Sequence, residues 1–296
     1  MTIPSGRDLF HALPAALRLW RTISFSQYIE DSVFFTLFQP SASGFYVDVG
    51  AFHPIEASNT YKLYLKGWRG ITIEPNPAVA KLFRRKRPRD THIVQGISQT
   101  HQTIPYYKYK LANLNTFSVA RAKELEISGC QLMETEEVKC SPLAAVIAQA
   151  APDRHIDLLS IDCEGMDLEV LRTFDFAKKR PTTIIIEDFD GYRLCRDGGG
   201  QSAIQSFLRG NMYMPISQML YSFLYVAADW PTLMKLSHAF DPKGFHDRTL
   251  PQAHKPHRAG ATMFVPSASI IPLREVVRNY CYDLPTGVRH GSDRRT

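Results

Sequence analysis

The chain has 296 residues, of which 44% are hydrophobic and 22% are charged, as in ordinary globular proteins with one large core. Its 35 basic and 29 acidic residues give a formal net charge of +6. No run approaches about 18 uninterrupted apolar residues, so we expect no transmembrane segment. The five cysteines are scattered and form no CxxC pair, which predicts reduced thiols in a cytoplasmic protein rather than a disulfide framework.

Residues 1–23 have the pattern of an amphipathic helix, with Leu9, Leu13, Leu17 and Trp20 on one face. Charged residues interrupt the apolar run that a signal peptide needs. We expect this helix to pack on the main domain. A helix that lies on a membrane surface is the alternative.

Strand and helix patterns alternate from residue 45 to residue 187. The predicted strands are 45–49, 70–74, 92–97, 156–162 and 182–187. The predicted helices are 57–66, 77–86, 141–150 and 166–173, and the third has Ser141 as N-cap and Pro142 in its first turn. This series is interrupted by an insertion into the sheet. It consists of a segment with alternating residue types, 103–110, and a polar helix that follows it. The alternation predicts a doubly wound α/β fold with a mostly parallel sheet, whose ligand-binding loops lie at the carboxyl ends of the strands.

The basic residues are concentrated in a few places. Six of the nine residues from Lys81 to Arg89 are basic. We interpret this run as a solvated helix end, with an anion-binding patch as the alternative. No aromatic residues are interleaved to stack on nucleotides there, so we expect no nucleic-acid partner.

A further helix, 201–209, and two strands, 213–217 and 221–227, complete the predicted sheet. Residues 228–296 are rich in proline, glycine and histidine without a sustained period, which predicts a loop-rich C-terminal extension. The spacing of its histidines is too loose to indicate a zinc site.

The first two predicted strands end on residues that suit a nucleoside. Gly50 follows the first strand, where the backbone can approach a ligand closely, and Glu74 ends the second, where its carboxylate can accept hydrogen bonds from two ribose hydroxyls. The turn after the first strand reads DVGAFHP and lacks the GxGxxG pattern that seats a pyrophosphate. An adenosine without phosphates fits this turn better. The alternative to a ligand-binding turn is that Asp48 and Gly50 only close a tight turn in the backbone.

Acidic residues gather at the ends of two later strands. Asp162 ends a buried strand and Glu164 follows it, while Glu187 ends the next strand. These carboxylates predict a cationic ligand, a metal or a proton acceptor. Asp167 also lies nearby, but its place in the first turn of a helix is explained by the helix dipole.

Together these stretches resemble the FkbM family of S-adenosylmethionine-dependent methyltransferases. The matching segments are SQYIEDSVFFTLF (26–38), GFYVDVGAFHP (44–54), SNTYKLYLKGWRGITIEPNP (58–77), Arg87-Pro88 with Asp90, Ile97-Ser98, LNTFS (114–118), DLLSIDCEGMDLEVLRTFDF (157–176) and RPTTIIIE (180–187). The resemblance covers about residues 24–226 and implies the class I methyltransferase (Rossmann-like) fold, a seven-stranded, doubly wound sheet with an antiparallel last strand. We therefore divide the chain into an N-terminal helix (1–23), a methyltransferase domain (24–227) and the C-terminal extension.

The resemblance also implies roles for particular residues. Asp48, Gly50 and Ala51 would line the site for the methionine end of the cofactor, with Asp162 beside them. Glu74 would hold the ribose hydroxyls, and Ile97 and Ser98 would flank the adenine.

The reaction implied is O-methylation of a hydroxyl group on a sugar, a glycan or a secondary metabolite. Asp162 or Glu164 is the expected base, and His53 is a second candidate. A magnesium ion held by Asp162, Glu187 and a third acid is a further possibility. The sequence predicts neither the acceptor nor the oligomeric state.

The chain departs from the family pattern at two positions. Ile29 stands where a glycine is usual, and Cys163 stands where valine is common. A non-catalytic binding module is an alternative function, but such a protein would tend to lose the acids that are kept here. A nucleic-acid methyltransferase is a second alternative function. Such enzymes often carry a D/N-P-P-Y/F tetrad, but the sequence at the corresponding position here is DCEG.

Overall fold

A computed structural model describes residues 23–228 of the protein. Most of the predicted N-terminal helix, nearly all of the C-terminal extension, and the histidines of that extension lie outside the described residues. Within the described part of the chain, no helix is long and apolar enough to cross a membrane.

Seven strands form one sheet in the order β3-β2-β1-β7-β8-β10-β9. Their bounds are β1 Phe45–Val49, β2 Arg69–Ile73, β3 Thr91–Ile93, β7 Leu158–Ile161, β8 Thr183–Glu187, β9 Tyr213–Met219 and β10 Ser222–Ala227. The pairs β1–β2, β1–β7, β2–β3 and β7–β8 are parallel, whereas β10 is antiparallel to both β8 and β9. The predicted mostly parallel, seven-stranded sheet with an antiparallel last strand is therefore confirmed.

Three further strands form a second sheet in the order β4-β6-β5. They are β4 Gly96–Ile97, β5 Gln102–Tyr109 and β6 Leu132–Ser141. The α-helices are α1 Glu30–Phe38, α2 Tyr61–Lys66, α3 Ala80–Lys86, α4 Val119–Ile127, α5 Leu143–Ala150, α6 Asp167–Arg172, α7 Phe189–Arg196 and α8 Ala203–Gly210, and short 3₁₀ turns span Pro77–Val79 and Ala112–Leu114.

The seven-stranded sheet is buried on both faces, which is why its central strands are almost wholly apolar. Val47 and Val49 of β1 pack on one face with residues of α5, α6 and α8. Tyr46, on the opposite face of the same strand, packs with residues of α1 and α2. The two hydrophobic layers hold the carboxyl ends of β1, β2 and β7 in fixed register.

Several sequence predictions differ from the observed elements. The predicted strand 92–97 is two strands in different sheets, because Val94 and Gln95 carry the chain from β3 to β4. Ser141 is not a helix N-cap: it ends β6, and α5 begins at Leu143 with Pro142 as its N-cap residue. The helix predicted from residue 57 starts only at Tyr61.

Three elements, helix α1, strand β6 and helix α7, were not predicted. Strand β6 has mostly exposed residues, so it carries no apolar run that would reveal a strand. Helix α7 follows β8 directly and is capped by Asp188, whose carboxylate accepts a hydrogen bond from the Gly191 N–H at 2.8 Å. The second sheet and α4 together form what we call the insert, residues 96–141.

Candidate functional site

The chain reverses its direction across the sheet between β1 and β7. From β1 it continues outward to β2 and β3, and after the insert it returns to β7 and continues to β8 on the other side. In doubly wound sheets ligands bind at the carboxyl end of such a switch point. A cleft opens there, lined by Gln27, Val49, Gly50, Phe52, Ala57, Ile73, Glu74, Pro75, Gln95, Gly96, Ile97, Tyr106, Ala112, Asn113, Asn115, Thr116, Phe117, Asp162, Cys163, Glu164, Met166 and Val170.

Gly50 is required where β1 runs into the cleft. Its φ angle is +76°, in the left-handed region, and a Cβ atom there would lie 1.7 Å from the carbonyl oxygen of Asp162. The N–H groups of Gly50 and Ala51 both donate to the Ile73 carbonyl, at 3.0 and 3.1 Å. The turn therefore joins the ends of β1, β2 and β7, and no other residue fits at position 50 without a backbone shift.

Glu74 is held in a fixed orientation at the end of β2. Its two carboxylate oxygens accept hydrogen bonds from the Phe52 N–H at 3.0 Å and the Asn76 N–H at 2.8 Å. Burial raises its pKa to about 7, although these two N–H groups and the Tyr106 hydroxyl oppose the shift. The side-chain nitrogen of Gln95, which lines the same cleft, is buried without a hydrogen-bond partner. A polar ligand with hydroxyl or ring-nitrogen groups would match both side chains.

Asp48 lies outside the cleft lining. It is buried and accepts a hydrogen bond from the Thr60 hydroxyl. The same hydroxyl accepts from a guanidinium nitrogen of Arg87 at 2.8 Å, and Arg87 forms a fully buried ion pair with Asp90 at 2.6 Å. The geometry gives Asp48 a place in a buried network that supports the end of β1.

Arg87 corrects the interpretation of the basic run. Arg84, Arg85 and Lys86 are exposed in the last turn of α3, as expected of a solvated helix end. Arg87 is only 1% exposed, so it belongs to the interior.

Three of the acids at the strand ends come together. One carboxylate oxygen from each of Asp162, Asp167 and Glu187 lies within 4.8 Å of the others. Asp162 lines the cleft and is half-buried, while Asp167 and Glu187 are buried. Asp167 accepts hydrogen bonds from the Cys163 N–H at 2.8 Å and the Gly165 N–H at 3.1 Å, so it organises the loop after β7 as well as beginning α6.

Burial and mutual repulsion make these carboxyl groups hard to ionise. Burial raises the pKa of Asp167 to about 7 and raises the pKa values of Asp162 and Glu187 well above their ordinary range. The negative charges of neighbouring carboxylates, Asp167 among them, push the pKa values of Asp162 and Glu187 further upward. A cation or bound protons must offset this charge.

Glu164 lines the cleft from an unusual backbone conformation. Its φ angle is +48°, so it does not extend the strand as the i, i+2 spacing from Asp162 would suggest. The Thr116 hydroxyl donates to its carbonyl at 2.8 Å, and a guanidinium nitrogen of Arg121 lies 3.4 Å from its carboxylate. Burial raises its pKa and Arg121 opposes the rise. The insert thus holds Glu164 at the cleft by both its backbone and its side chain.

The other predicted residues lie apart from the cleft lining. The Nδ1 atom of His53 accepts the N–H groups of Ile55 and Glu56, at 3.3 and 2.9 Å, and so stabilises its own turn. Ser98 is buried and donates to the Thr100 carbonyl at 2.6 Å. Its neighbour Ile97, which was expected beside the adenine as well, does line the cleft.

Sequence reasoning missed one wall of the cleft. Tyr106, Asn113, Asn115 and Phe117 all belong to the insert. The LNTFS motif was the available signal, because it matched the family pattern without having been given a role.

The sheet order and the cleft at its switch point define a class I methyltransferase fold. The family model described as "Methyltransferase FkbM domain" matches residues 48–220, which is more than half of the chain. The chain therefore belongs to the FkbM family of S-adenosylmethionine-dependent methyltransferases. No curated protein matches significantly.

Solved structures with a similar arrangement are distant. They include an O-methyltransferase from Bacillus cereus in complex with SAH (12% identity, 77% of this chain and 94% of that chain covered, TM-score 0.36). Another is the cofactor-bound Rv0187 from MTB (13%, 77% and 99%, TM-score 0.38). A third is the Burkholderia thailandensis 1,6-didemethyltoxoflavin-N1-methyltransferase (11%, 76% and 91%, TM-score 0.33).

Proposed function

We propose that the protein transfers a methyl group from S-adenosylmethionine to a hydroxyl group of a small molecule or glycan. The observation that carries the proposal is the pairing of Gly50 and Glu74 in one cleft at the switch point of the sheet. The cleft has a carboxylate for a ribose and no glycine-rich loop for a pyrophosphate. The amide nitrogen of Gln95, which has no partner, and the apolar side chains of Ile97 and Met166 suit an adenine ring.

When bound, S-adenosylmethionine supplies an electrophilic methyl group on a positively charged sulfur. The acceptor hydroxyl loses its proton as its oxygen forms the new bond to carbon, and the sulfur keeps the electron pair of the broken bond. Asp162 and Glu164 both line the cleft and are the proposed bases for that proton. His53, which caps its own turn, is the third candidate. A divalent cation at Asp162 and Glu187 is the remaining part of the proposal.

Cofactor binding is tested by isothermal titration calorimetry with S-adenosylmethionine and S-adenosylhomocysteine. Both are expected to bind the wild-type protein. Glu74→Ala should weaken binding by about 1.5–3 kcal/mol, because it removes charge-assisted hydrogen bonds to the ribose. Tight binding of NAD instead, or unchanged affinity in the variant, would contradict the proposal.

The base is identified by amide substitution. After an acceptor has been found by screening sugars and secondary metabolites for release of S-adenosylhomocysteine, Asp162→Asn and Glu164→Gln are compared with the wild type. At least one should lose roughly 10²–10⁴-fold in turnover with little change in S-adenosylhomocysteine affinity. Normal turnover in both would leave His53 as the base.

A further inference from the structure

Three carboxylates from separate elements face one another at the acidic edge of the sheet. Asp162 follows β7, Asp167 begins α6 and Glu187 ends β8, and one oxygen of each lies within 4.8 Å of the others. We propose that these three residues bind one divalent cation, Mg²⁺ or Mn²⁺, beside the cleft.

Glu187 supplies an observation independent of the clustering. Its side chain is only 6% exposed, and its Oε2 atom is buried without a hydrogen-bond partner. Buried polar atoms in folded proteins nearly always have a partner, so this oxygen indicates a missing ligand. The adjacent Asp188 shows the contrast, because its carboxylate accepts from the Gly191 N–H and the Ser202 hydroxyl.

The surrounding charges favour a cation. The carboxylates of Glu30 and Asp48 also act on Asp162 and add to the negative potential. Among the groups that shift the pKa of Glu187, Arg121 provides a positive charge, and it already lies against Glu164. One guanidinium cannot neutralise several buried carboxylates, and a divalent ion among Asp162, Asp167 and Glu187 would.

The donor set selects the kind of ion. Three carboxylates provide hard oxygen ligands, which suit Mg²⁺ and Mn²⁺ better than zinc or copper. Cys163 is the nearby soft ligand, but its sulfur does not belong to the group of converging ligand atoms, which are all carboxylate oxygens. Water or an acceptor oxygen would complete the coordination on the side of Asp162, which lines the cleft.

The function of this ion rests on the proposed methyl transfer, whereas its binding does not. An ion at this position would bind the acceptor hydroxyl and lower its pKa. The hydroxyl proton would then pass to the carboxylate of Glu164 as the oxygen bonds to the methyl carbon. The electron pair of the broken carbon–sulfur bond stays on the sulfur.

The test uses the full chain without cofactor or acceptor. Mn²⁺ is titrated into the protein and followed by electron paramagnetic resonance and by calorimetry. The wild type should bind one ion per chain, and Glu187→Gln, which keeps the shape of the side chain, should weaken binding at least about tenfold. The matched control is Asp190→Asn, an exposed acid three residues away that pairs with Arg193 and should leave Mn²⁺ affinity unchanged.

Thermal unfolding provides a second readout, in which metal and the substitution act differently on the Tm. Mn²⁺ should raise the Tm of the wild type and leave that of Glu187→Gln unchanged. Without metal, Glu187→Gln should be at least as stable as the wild type, because the neutral amide cannot acquire the charge that burial and the neighbouring carboxylates oppose. If Glu187→Gln does not fold, Asp162→Asn provides the same comparison.

Two results would overturn the inference. One is the absence of saturable Mn²⁺ binding up to about 1 mM, which would mean that the carboxylates are neutralised by shared protons. The other is equal affinity in the wild type and Glu187→Gln, which would place the ion elsewhere. Failure of S-adenosylmethionine binding would refute the proposed function and leave the metal result standing.

Discussion

At the scale of single residues, Glu74 combines a structural role with a proposed ligand contact. Its carboxylate ties the turn after β1 to the end of β2 through the Phe52 and Asn76 N–H groups. Burial raises its pKa to about 7, so its charge changes within the physiological range. Ligand affinity should therefore depend on pH.

We predict that S-adenosylhomocysteine binds about tenfold more weakly at pH 6 than at pH 8, because protonated Glu74 accepts ribose hydrogen bonds poorly. The contribution of Glu74 to folding stability should change with pH in the opposite direction to ligand affinity. A carboxyl group whose pKa is raised by folding stabilises the protein below its ordinary pKa of 4.5, and this contribution is lost as the pH rises through 7. Calorimetry across this range measures the affinity. Glu74→Gln is the control, and its affinity should not vary with pH; equal pH dependence in both proteins would assign the titration to another group.

Ile29 shows how a residue-scale departure from the family pattern appears in the structure. Glycine is usual at this position in the family pattern, and Ile29 adopts a φ angle of +64° just before α1. Left-handed backbone is unfavourable for a β-branched residue and free for glycine. The side chain is 45% exposed, so the substitution disturbs little packing.

At the scale of elements, the buried Arg87–Asp90 pair joins parts of the chain that are distant in sequence. Arg87 lies directly after α3 and donates to the hydroxyl groups of Ser58 and Thr60, just before α2. Asp90 accepts from the Tyr46 hydroxyl of β1 and the Gly70 N–H of β2. One ion pair therefore fixes two strands and two helices relative to the cleft.

Arg87→Ala should lower the free energy of unfolding by about 3–5 kcal/mol, because it leaves Asp90 as an uncompensated buried charge. Urea denaturation followed by circular dichroism measures the change. Arg85→Ala is the matched control: it removes the same charge from an exposed position of α3, and should change stability by less than about 0.5 kcal/mol. Equal effects of the two substitutions would mean that the buried pair does not stabilise the fold.

At the scale of the whole molecule, the division at residue 228 stays a prediction. The family match ends at residue 220, but β10 continues to Ala227 and pairs with both β8 and β9. The Ala228 N–H still donates to the Met212 carbonyl at 2.8 Å. The sheet is therefore complete only when residue 228 is included.

A protein that ends at residue 228 should unfold cooperatively and bind S-adenosylhomocysteine within about threefold of the full chain, because the cofactor cleft lies within the described residues. A protein that ends at residue 220 should fail to fold, since it lacks β10 between two other strands. Circular dichroism and calorimetry distinguish the two. If the longer truncation is also unfolded, the extension is part of the core.

The sequence alone determined the central sheet and several of the residues at the edge where the cleft opens. Strands β1, β2 and β8 were predictable because a parallel strand buried on both faces is apolar along most of its length. Gly50, Glu74, Asp162 and Glu164 were predictable as cleft residues because ligands meet doubly wound sheets at carboxyl strand ends, and all four line the cleft.

Only the tertiary structure decided which polar residues meet. Strand β6 is exposed and polar, so its partners β4 and β5 define it and local pattern does not. Arg87 looks like its exposed neighbours in sequence, but the packing of α3 against the sheet buries it. Asp167 lies in the first turn of a helix, and from the sequence its position was explained by the helix dipole alone. Its proximity to Glu187 depends on how β7 and β8 pair. Such contacts join residues far apart in the chain, and no local periodicity records them.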